Sequence, residues 1–382
     1  MKELYFDFAA TTKVKKKVLE EMLPYFMEYY GNPSSIYSLS RKVKSAIDSS
    51  KKNIAKLINS NRTEIYFTSG GTEADNWAVK GIALANREKG KHIITTEIEH
   101  AAILNSCKYL QSLGFRVTYL PVDKNGFINL DQLRKNIDKE TILVSIMWGN
   151  NEIGTVQNIK DIGEICKQSN VYFHTDAVQA LGQIPIDVKE MNIDLLSMSA
   201  HKIYGPKGIG ALYIKKGVKI HNLIHGGEQE RGRRSGTENV PGIVGFGKAA
   251  ELTYENSKDE KNKLICFRDK IIKELLKIDK TKINGATGED RLPNNINVCF
   301  EGVESEELLI VLDTVGIFAS AGSACSAGAI EESHVLKAIG LSVDEAKNSI
   351  RFTIGYTINN DIIEEFIGKI KMAVNNIRQV DL

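Results

Sequence analysis

The 382-residue chain is long enough for two domains, or one large domain with a smaller satellite, and its 42% hydrophobic and 26% charged residues suit a globular protein with a real core. A net charge of +2 gives no reason to expect nucleic-acid or membrane partners. Met1-Lys2-Glu3-Leu4-Tyr5 carries no apolar signal-peptide core and no apolar stretch approaches the roughly 18 residues of a membrane span, so the expected compartment is the cytoplasm.

In chain order, Lys13 and Lys15–Lys17 form a basic cluster that opens the first helix and reads as a solvated face. Helical periodicity follows over 38–58. Between about residues 60 and 215, short apolar runs alternate with helical patterns, the signature of a mostly parallel sheet covered by helices. The expected strands are 64–67, 92–95, 116–120, 142–147, 171–174, 195–199 and 210–214, with helices at 72–87, 101–113 and 159–168. A polar-rich helical stretch from 242 to about 280 breaks the alternation. Beyond it come strand 295–300, helix 305–314, strands 317–320 and 350–354, and a final helix 361–378. The expected division is a large α/β domain over 13–255 and a smaller α+β domain made of 1–12 and 256–382. No repeat or low-complexity tract occurs.

Five cysteines without a Cys-x-x-Cys pair support neither a disulfide framework nor a zinc site. Cys107, Cys166, Cys266 and Cys299 sit in patterned segments and read as small buried hydrophobes. Cys325 differs: in Ser320-Ala321-Gly322-Ser323-Ala324-Cys325-Ser326-Ala327-Gly328 no large neighbour could pack against it, which suits an exposed thiol kept for chemistry as well as a plain loop residue. The seven histidines are scattered, none is expected to pair at the His-x-x-x-His spacing of a helical metal site, and no metal is predicted.

Three segments carry chemistry. Thr68-Ser69-Gly70-Gly71-Thr72-Glu73-Ala74-Asp75-Asn76 follows an apolar strand and opens a helix, so its glycines and the helix N-terminus could cradle a phosphate; an ordinary turn with Thr72 as N-cap is the other reading. Val171-Tyr172-Phe173-His174-Thr175-Asp176 ends an apolar strand in an acid, placed either for a ligand at the carboxyl edge of the sheet or to cap the next helix. In Ser197-Met198-Ser199-Ala200-His201-Lys202-Ile203-Tyr204-Gly205 a buried strand ends in a lysine whose amine, desolvated in a cavity, would suit imine chemistry. The glycine order does not fit a dinucleotide loop. A phosphate cradle, an acid and an imine-forming lysine on three strand ends are together what pyridoxal 5'-phosphate needs.

With these segments, Tyr5-Phe6-Asp7-Phe8-Ala9-Ala10-Thr11-Thr12, Gly31-Asn32-Pro33-Ser34-Ser35, Asn150-Asn151-Glu152-Ile153-Gly154, Arg234-Ser235-Gly236-Thr237-Glu238-Asn239 and Ser323-Ala324-Cys325 stand in an order that resembles the cysteine desulfurases. These are members of the pyridoxal-phosphate class V aminotransferase superfamily that supply sulfur to iron–sulfur cluster assembly and nitrogen fixation, and the resemblance runs over essentially the whole chain. It implies a fold-type I, aspartate-aminotransferase-like α/β architecture and a homodimer. It gives Lys202 the covalent hold on the cofactor, Asp176 the pyridinium contact, Gln179 the ring hydroxyl and His100 a catalytic place stacked on the ring, although local sequence reads His100 as a helix cap. Gly71, Thr72, Ser199 and His201 would hold the phosphate, joined by Thr237 from the other subunit. Asn151 would touch both cofactor and substrate, Arg351 would bind the substrate carboxylate, and Asn32 would lie nearby. Cys325, on a long mobile loop over about 321–333, would receive the sulfur of L-cysteine as a persulfide, release L-alanine, and pass the sulfur to an acceptor such as an iron–sulfur scaffold or a tRNA-thiolation enzyme. Tyr37, where relatives commonly have histidine, and Glu228, where a third glycine is frequent, depart from the pattern near the implied dimer interface. Rival readings are a selenocysteine lyase, another pyridoxal-phosphate lyase, or a non-catalytic sulfur carrier.

Overall fold

A computed structural model describes residues 3–322 and 333–380. Its strands are β1 (Leu4–Tyr5), β2 (Ile65–Thr68), β3 (His92–Thr96), β4 (Arg116–Leu120), β5 (Thr141–Ser145), β6 (Tyr172–Asp176), β7 (Leu195–Ser199), β8 (Gly210–Ile214), β9 (Thr281–Ile283), β10 (Asn295–Phe300), β11 (Ile317–Phe318) and β12 (Ser349–Thr353). Seven form one sheet in the order β2-β8-β7-β6-β5-β3-β4. Only β8 runs against its neighbours, β2 and β7; the other pairs are parallel. The hairpin-like β7–β8 return could not be told from a parallel step by its apolar pattern, because both strands are buried on both faces.

Alternate residues of each strand enter different cores, as a two-residue side-chain period requires. Ile93, Leu143, Leu195 and Leu212 join Trp77, Ile82, Ile103 and Leu110 of the helices Gly71–Ala85 and Ala101–Ser112. Ile94, Val144, Leu196 and Ala211 join Val43, Ile54, Ile162 and Phe246, which come from the helices Ser38–Leu57, Ile159–Gln168 and Val240–Leu275. The sheet is therefore covered on both sides.

A further apolar core forms around the antiparallel sheet β12-β10-β9 and the helices Ser305–Thr314 and Asn360–Val380. The 36-residue helix Val240–Leu275 serves both cores, with Ile243 and Phe246 in the first and Leu264, Ile271 and Leu275 in the second. At 1.5 Å per residue it spans about 54 Å, long enough to reach across both. The N-terminus also begins in the second core: Leu4 and Phe6 are buried there, and Phe6 stacks on Phe366 with centroids 3.9 Å apart.

Several expectations change. Lys13, Lys16 and Lys17 are exposed, but Lys15 is not on a solvated face. Its Nζ lies 4.8 Å from the ring centroids of both Tyr204 and Tyr356 and 3.8 Å from Glu260, a site that a local charge pattern cannot show. Cys266 is exposed on its helix, whereas Cys107, Cys166 and Cys299 are buried. The long helix stops at Leu275 rather than near 280, β11 ends at Phe318, and a short helix, Leu130–Asn136, capped by the Asn129 side chain, went unread. Among the described residues no helix is long and apolar enough to cross a membrane.

Phe6→Ala should cost about 3–5 kcal/mol, as for other buried aromatics, seen as a lower urea midpoint. Leu19→Ala, at a half-exposed position, should change it by less than about 0.5 kcal/mol. Equal effects would mean that the N-terminus is not anchored in the second core.

Candidate active site

The carboxyl ends of β2, β3, β5, β6 and β7 open on one edge of the large sheet, where an open α/β sheet binds its ligands. There, a cavity of about 220 Å³ is lined by Gly71, Thr72, His100, Asn151, Asp176, Gln179, Ser199, His201, Lys202 and Arg351. It falls below the roughly 300–1,000 Å³ of drug-sized pockets and so suits a compact ring rather than a dinucleotide.

The cradle comes from the turn between β2 and the helix Gly71–Ala85. The N-cap is Gly70, not Thr72, and no side chain caps the helix, so its first N–H groups remain for an anion. Two glycines are required by contact. A Cβ on Gly210 would sit 2.6 Å from the Gly70 carbonyl carbon and from Met198 O, and one on Gly71 would sit 2.7 Å from Val178 Cγ2.

Asp176 closes β6, is 6% exposed, and accepts the Val178 N–H on Oδ1 at 2.9 Å. The turn contact and the place in the cavity thus coexist. Burial pushes its carboxyl up, against the opposing pull of His100, the Val178 N–H and Lys202. Lys202 stands on the short 3₁₀ turn Ala200–Lys202 directly after β7 and donates from Nζ to Ala9 O and to Ala10 O, the latter at 2.9 Å. Gln179 Nε2 also donates to Ala9 O, at 3.0 Å.

Those alanines belong to a segment whose role sequence reasoning missed. Ala9 and Ala10 line the cavity, and the residues around them tie the segment down. The Thr12 hydroxyl donates to His201 O at 2.8 Å and accepts the Tyr204 N–H at 3.0 Å, while Thr11 Oγ1 meets His201 Nδ1 at 3.1 Å. Tyr204 has φ +65°, a conformation that costs a non-glycine residue roughly 1–2 kcal/mol. The Thr12 bond and the ring of Tyr356, 4.7 Å away, hold it there. The sequence marked residues 5–12 as a landmark of the family resemblance but could not show its contacts, because His201 and Tyr204 lie about 190 residues away.

His100 caps a helix, as its local sequence suggests, and also lines the cavity. Its Nδ1 accepts the Ala102 N–H at 3.1 Å, capping the helix Ala101–Ser112, while the ring lines the cavity. A neutral ring therefore carries its proton on Nε2. Asn150 fixes the loop that presents Asn151: its Oδ1 accepts from the Glu152 and Ile153 N–H groups at 2.9 Å each. Arg351, on β12 and 1% exposed, donates from Nη1 to Asn151 O at 3.1 Å and from Nη2 to Asp7 Oδ1 at 2.8 Å. Its Nε has no partner among the described residues, as a group kept for a ligand would.

Asn32 and Thr237 do not line this cavity. They share a second cleft with Tyr25, Tyr29 and Tyr30. Cys325 and most of the expected loop over 321–333 lie outside the described residues. His221 and His225 are four apart but sit in a non-helical stretch, which removes the one His-x-x-x-His spacing in the chain from consideration as a helical metal site.

Behind the cavity, His174 meets Ser145 Oγ at 2.9 Å and Ser197 Oγ at 3.0 Å, with Asp75 Oδ1 3.8 Å from its Nε2. Burial pulls the imidazole down to about 3. The folded form is thus depressed below the unfolded value of about 6.5. The stability that neutral His174 contributes is complete above that value and is lost as pH falls toward about 3. In cofactor-free protein, the stability gap between wild type and His174→Gln should shrink as pH drops from 7 to 4 in urea titrations. A gap independent of pH would rule out the neutral imidazole.

The sequence pattern of the family described as Aminotransferase class-V matches residues 4–366. The chain is 54% identical over 381 residues to a protein of Clostridium botulinum (strain Hall) named cysteine desulfurase IscS, covering 99% of this chain and 96% of that one. Among solved structures it is similar to a NifS-like protein, with a TM-score of 0.92 and 38% identity over 98% of this chain and 100% of that one. It is also similar to SspA in complex with cysteine, with a TM-score of 0.81 and 40% identity over 92% of this chain and 98% of that one. The chain belongs to the class-V aminotransferase family, a pyridoxal-phosphate-dependent family, in its cysteine desulfurase branch.

Proposed function

We propose that this protein is a pyridoxal-phosphate-dependent cysteine desulfurase that turns L-cysteine into L-alanine and leaves the sulfur on Cys325 as a persulfide. The observation that carries the reading is one cavity faced by Lys202, Asp176, an uncapped helix N-terminus and Arg351. The donor set fits the cofactor. The N–H groups of the Gly71–Ala85 helix await an anion, and a buried acid that burial alone would neutralise gains from a cationic ring nitrogen beside it.

Gly71, Thr72, Ser199 and His201 would hold the phosphate, Asp176 the ring nitrogen, Gln179 the ring hydroxyl and His100 the ring face, with Asn151 between cofactor and substrate. When bound, pyridoxal phosphate supplies a carbonyl for imine formation and a ring that takes up electrons from the substrate. Arg351 binds the substrate carboxylate through its planar fork, and Asn151 orients it. Lys202 Nζ takes the proton from the substrate Cα. The Cys325 thiolate attacks the substrate sulfur: an S–S bond forms, the Cβ–S bond breaks, and the carbon gains a proton, so no external oxidant is consumed.

Asn32 and Thr237 are read as contributions to a second copy's site. Around their cleft, Met27, Tyr30 and Ile36 are 82%, 73% and 91% exposed, more apolar surface than a lone chain needs to show, and a homodimer would cover it. The same reading divides the chain into a cofactor-binding part, 13–255, and a smaller part, 1–12 with 256–382. It sets the enzyme in the cytoplasm, handing sulfur to an iron–sulfur scaffold or a tRNA-thiolation protein.

Two measurements test it. Borohydride reduction of the yellow protein should fix the cofactor to the peptide that contains Lys202; attachment elsewhere refutes the site. Cys325→Ala should bind cofactor and L-cysteine yet release alanine at least 100-fold more slowly and carry no persulfide. Normal alanine release by that variant would mean that sulfur leaves without a protein nucleophile.

A further inference from the structure

The phosphate cradle contains its own competitor. Glu73 lies in the first turn of the helix Gly71–Ala85, where a carboxylate can satisfy the same N–H groups and positive end that an incoming phosphate needs. It already reaches back: Glu73 Oε2 accepts the Ser69 N–H at 2.7 Å. Arg234 engages both of its oxygens at the same time, with Nε 2.9 Å from Oε1 and Nη2 3.0 Å from Oε2, a two-pronged pair whose side chains are 23% and 11% exposed. Burial works to raise the Glu73 carboxyl, but Arg234 and Ser69 outweigh it and hold it low, so the acid stays ionised. With Arg234 in place, the pair brings no net charge to the cradle. Without it, one unpaired carboxylate would stand in the first helical turn, next to Gly71 and Thr72 of the cradle.

We infer that Arg234 is a positioning residue for the cofactor phosphate, acting by neutralising and orienting Glu73 at the mouth of the cradle. The inference rests on the cofactor reading above and extends it to residues that never touch the ring. Arg234 also stands three residues before Thr237, so the same pair ties the cradle to the segment read as reaching a second copy.

The test measures binding of pyridoxal phosphate, and of pyridoxal without its phosphate, to cofactor-free protein by absorbance. Arg234→Gln, which keeps a polar group of similar reach, should weaken pyridoxal phosphate at least ten-fold and leave pyridoxal within three-fold. Glu73→Gln/Arg234→Gln, again without net charge, should return pyridoxal phosphate to within three-fold of wild type. If Arg234→Gln does not fold, Arg234→Lys, with one prong lost, should weaken pyridoxal phosphate about three-fold. Wild-type affinity in the single variant overturns the inference. So does a double variant as weak as the single, because a purely structural pair would not be rescued by removing its other half. If wild type itself fails to prefer pyridoxal phosphate over pyridoxal, the cradle reading fails first, a separate outcome.

Discussion

Everything at the site hangs on the N-terminal segment strapped over the carboxyl edge of the large sheet. Phe6 is locked into the second core by its stacking on Phe366. The next six residues then give Asp7 to Arg351, two backbone carbonyls to Lys202, and two threonines to the His201–Tyr204 turn. Backbone carbonyls are fixed, uncharged acceptors, so they steady the lysine amine without adding a second carboxylate beside Asp176. An acid in the place of Ala9 O would bind the ammonium more strongly and make the imine chemistry proposed for Lys202 harder, because deprotonating the amine would then cost a buried ion pair.

The acids at and behind the cavity follow a similar logic. Asp75, Glu99 and Asp176 are all buried, and three mutually repelling carboxylates could not all ionise there. Burial, with Asp176 and Glu99 nearby, drives the Asp75 carboxyl well above the usual carboxylate range. Burial, with a smaller push from Asp176, takes Glu99 up to about 8, even against its bonds from the Met147 N–H and Thr96. Asp176 is the one with His100 and Lys202 pulling in the other direction. The neighbours thus shed their charge by protonation, and of the two acids that line the cavity, Asp75 and Asp176, the second is left as the one suited to a cationic ring nitrogen.

Much of this was legible locally. The apolar runs ending in Ser69, Asp176 and Lys202 located three strand ends, and His100 was read as a cap on the strength of its position alone. What escaped was carried by contacts between residues far apart in the chain. Asp7 and Arg351 are 344 residues apart, and Lys202 and Ala9 are 193 apart. No periodicity links such pairs. Lys15 was misread for the same reason: its aromatic partners, Tyr204 and Tyr356, lie nearly 200 and more than 300 residues away in a different part of the fold. The antiparallel turn of β8 was hidden because a doubly buried strand shows the same apolar run in either direction.

The two ends of the cavity come from different cores, and this constrains how the site can change. Cradle, acid and lysine stand on the large sheet, whereas Arg351 sits on β12 of the smaller one and Asp7 lies between them. The spacing between the Lys202–Asp176 end and the Arg351 end is therefore set by how the cores are joined. The strap, the helix Val240–Leu275 and the 152–156 loop, which bonds to Asp290, Leu292, Asn295 and Asn297, all join them, and the helix is anchored by apolar side chains at both ends. A helix keeps its length, since every residue advances the same 1.5 Å. The strap, by contrast, is held by hydrogen bonds to single atoms that can be exchanged. Adjustment of the cavity to a substrate thus falls to the strap and to the Arg351–Asp7–Asn151 bonds, while the helix keeps the cores from drifting apart.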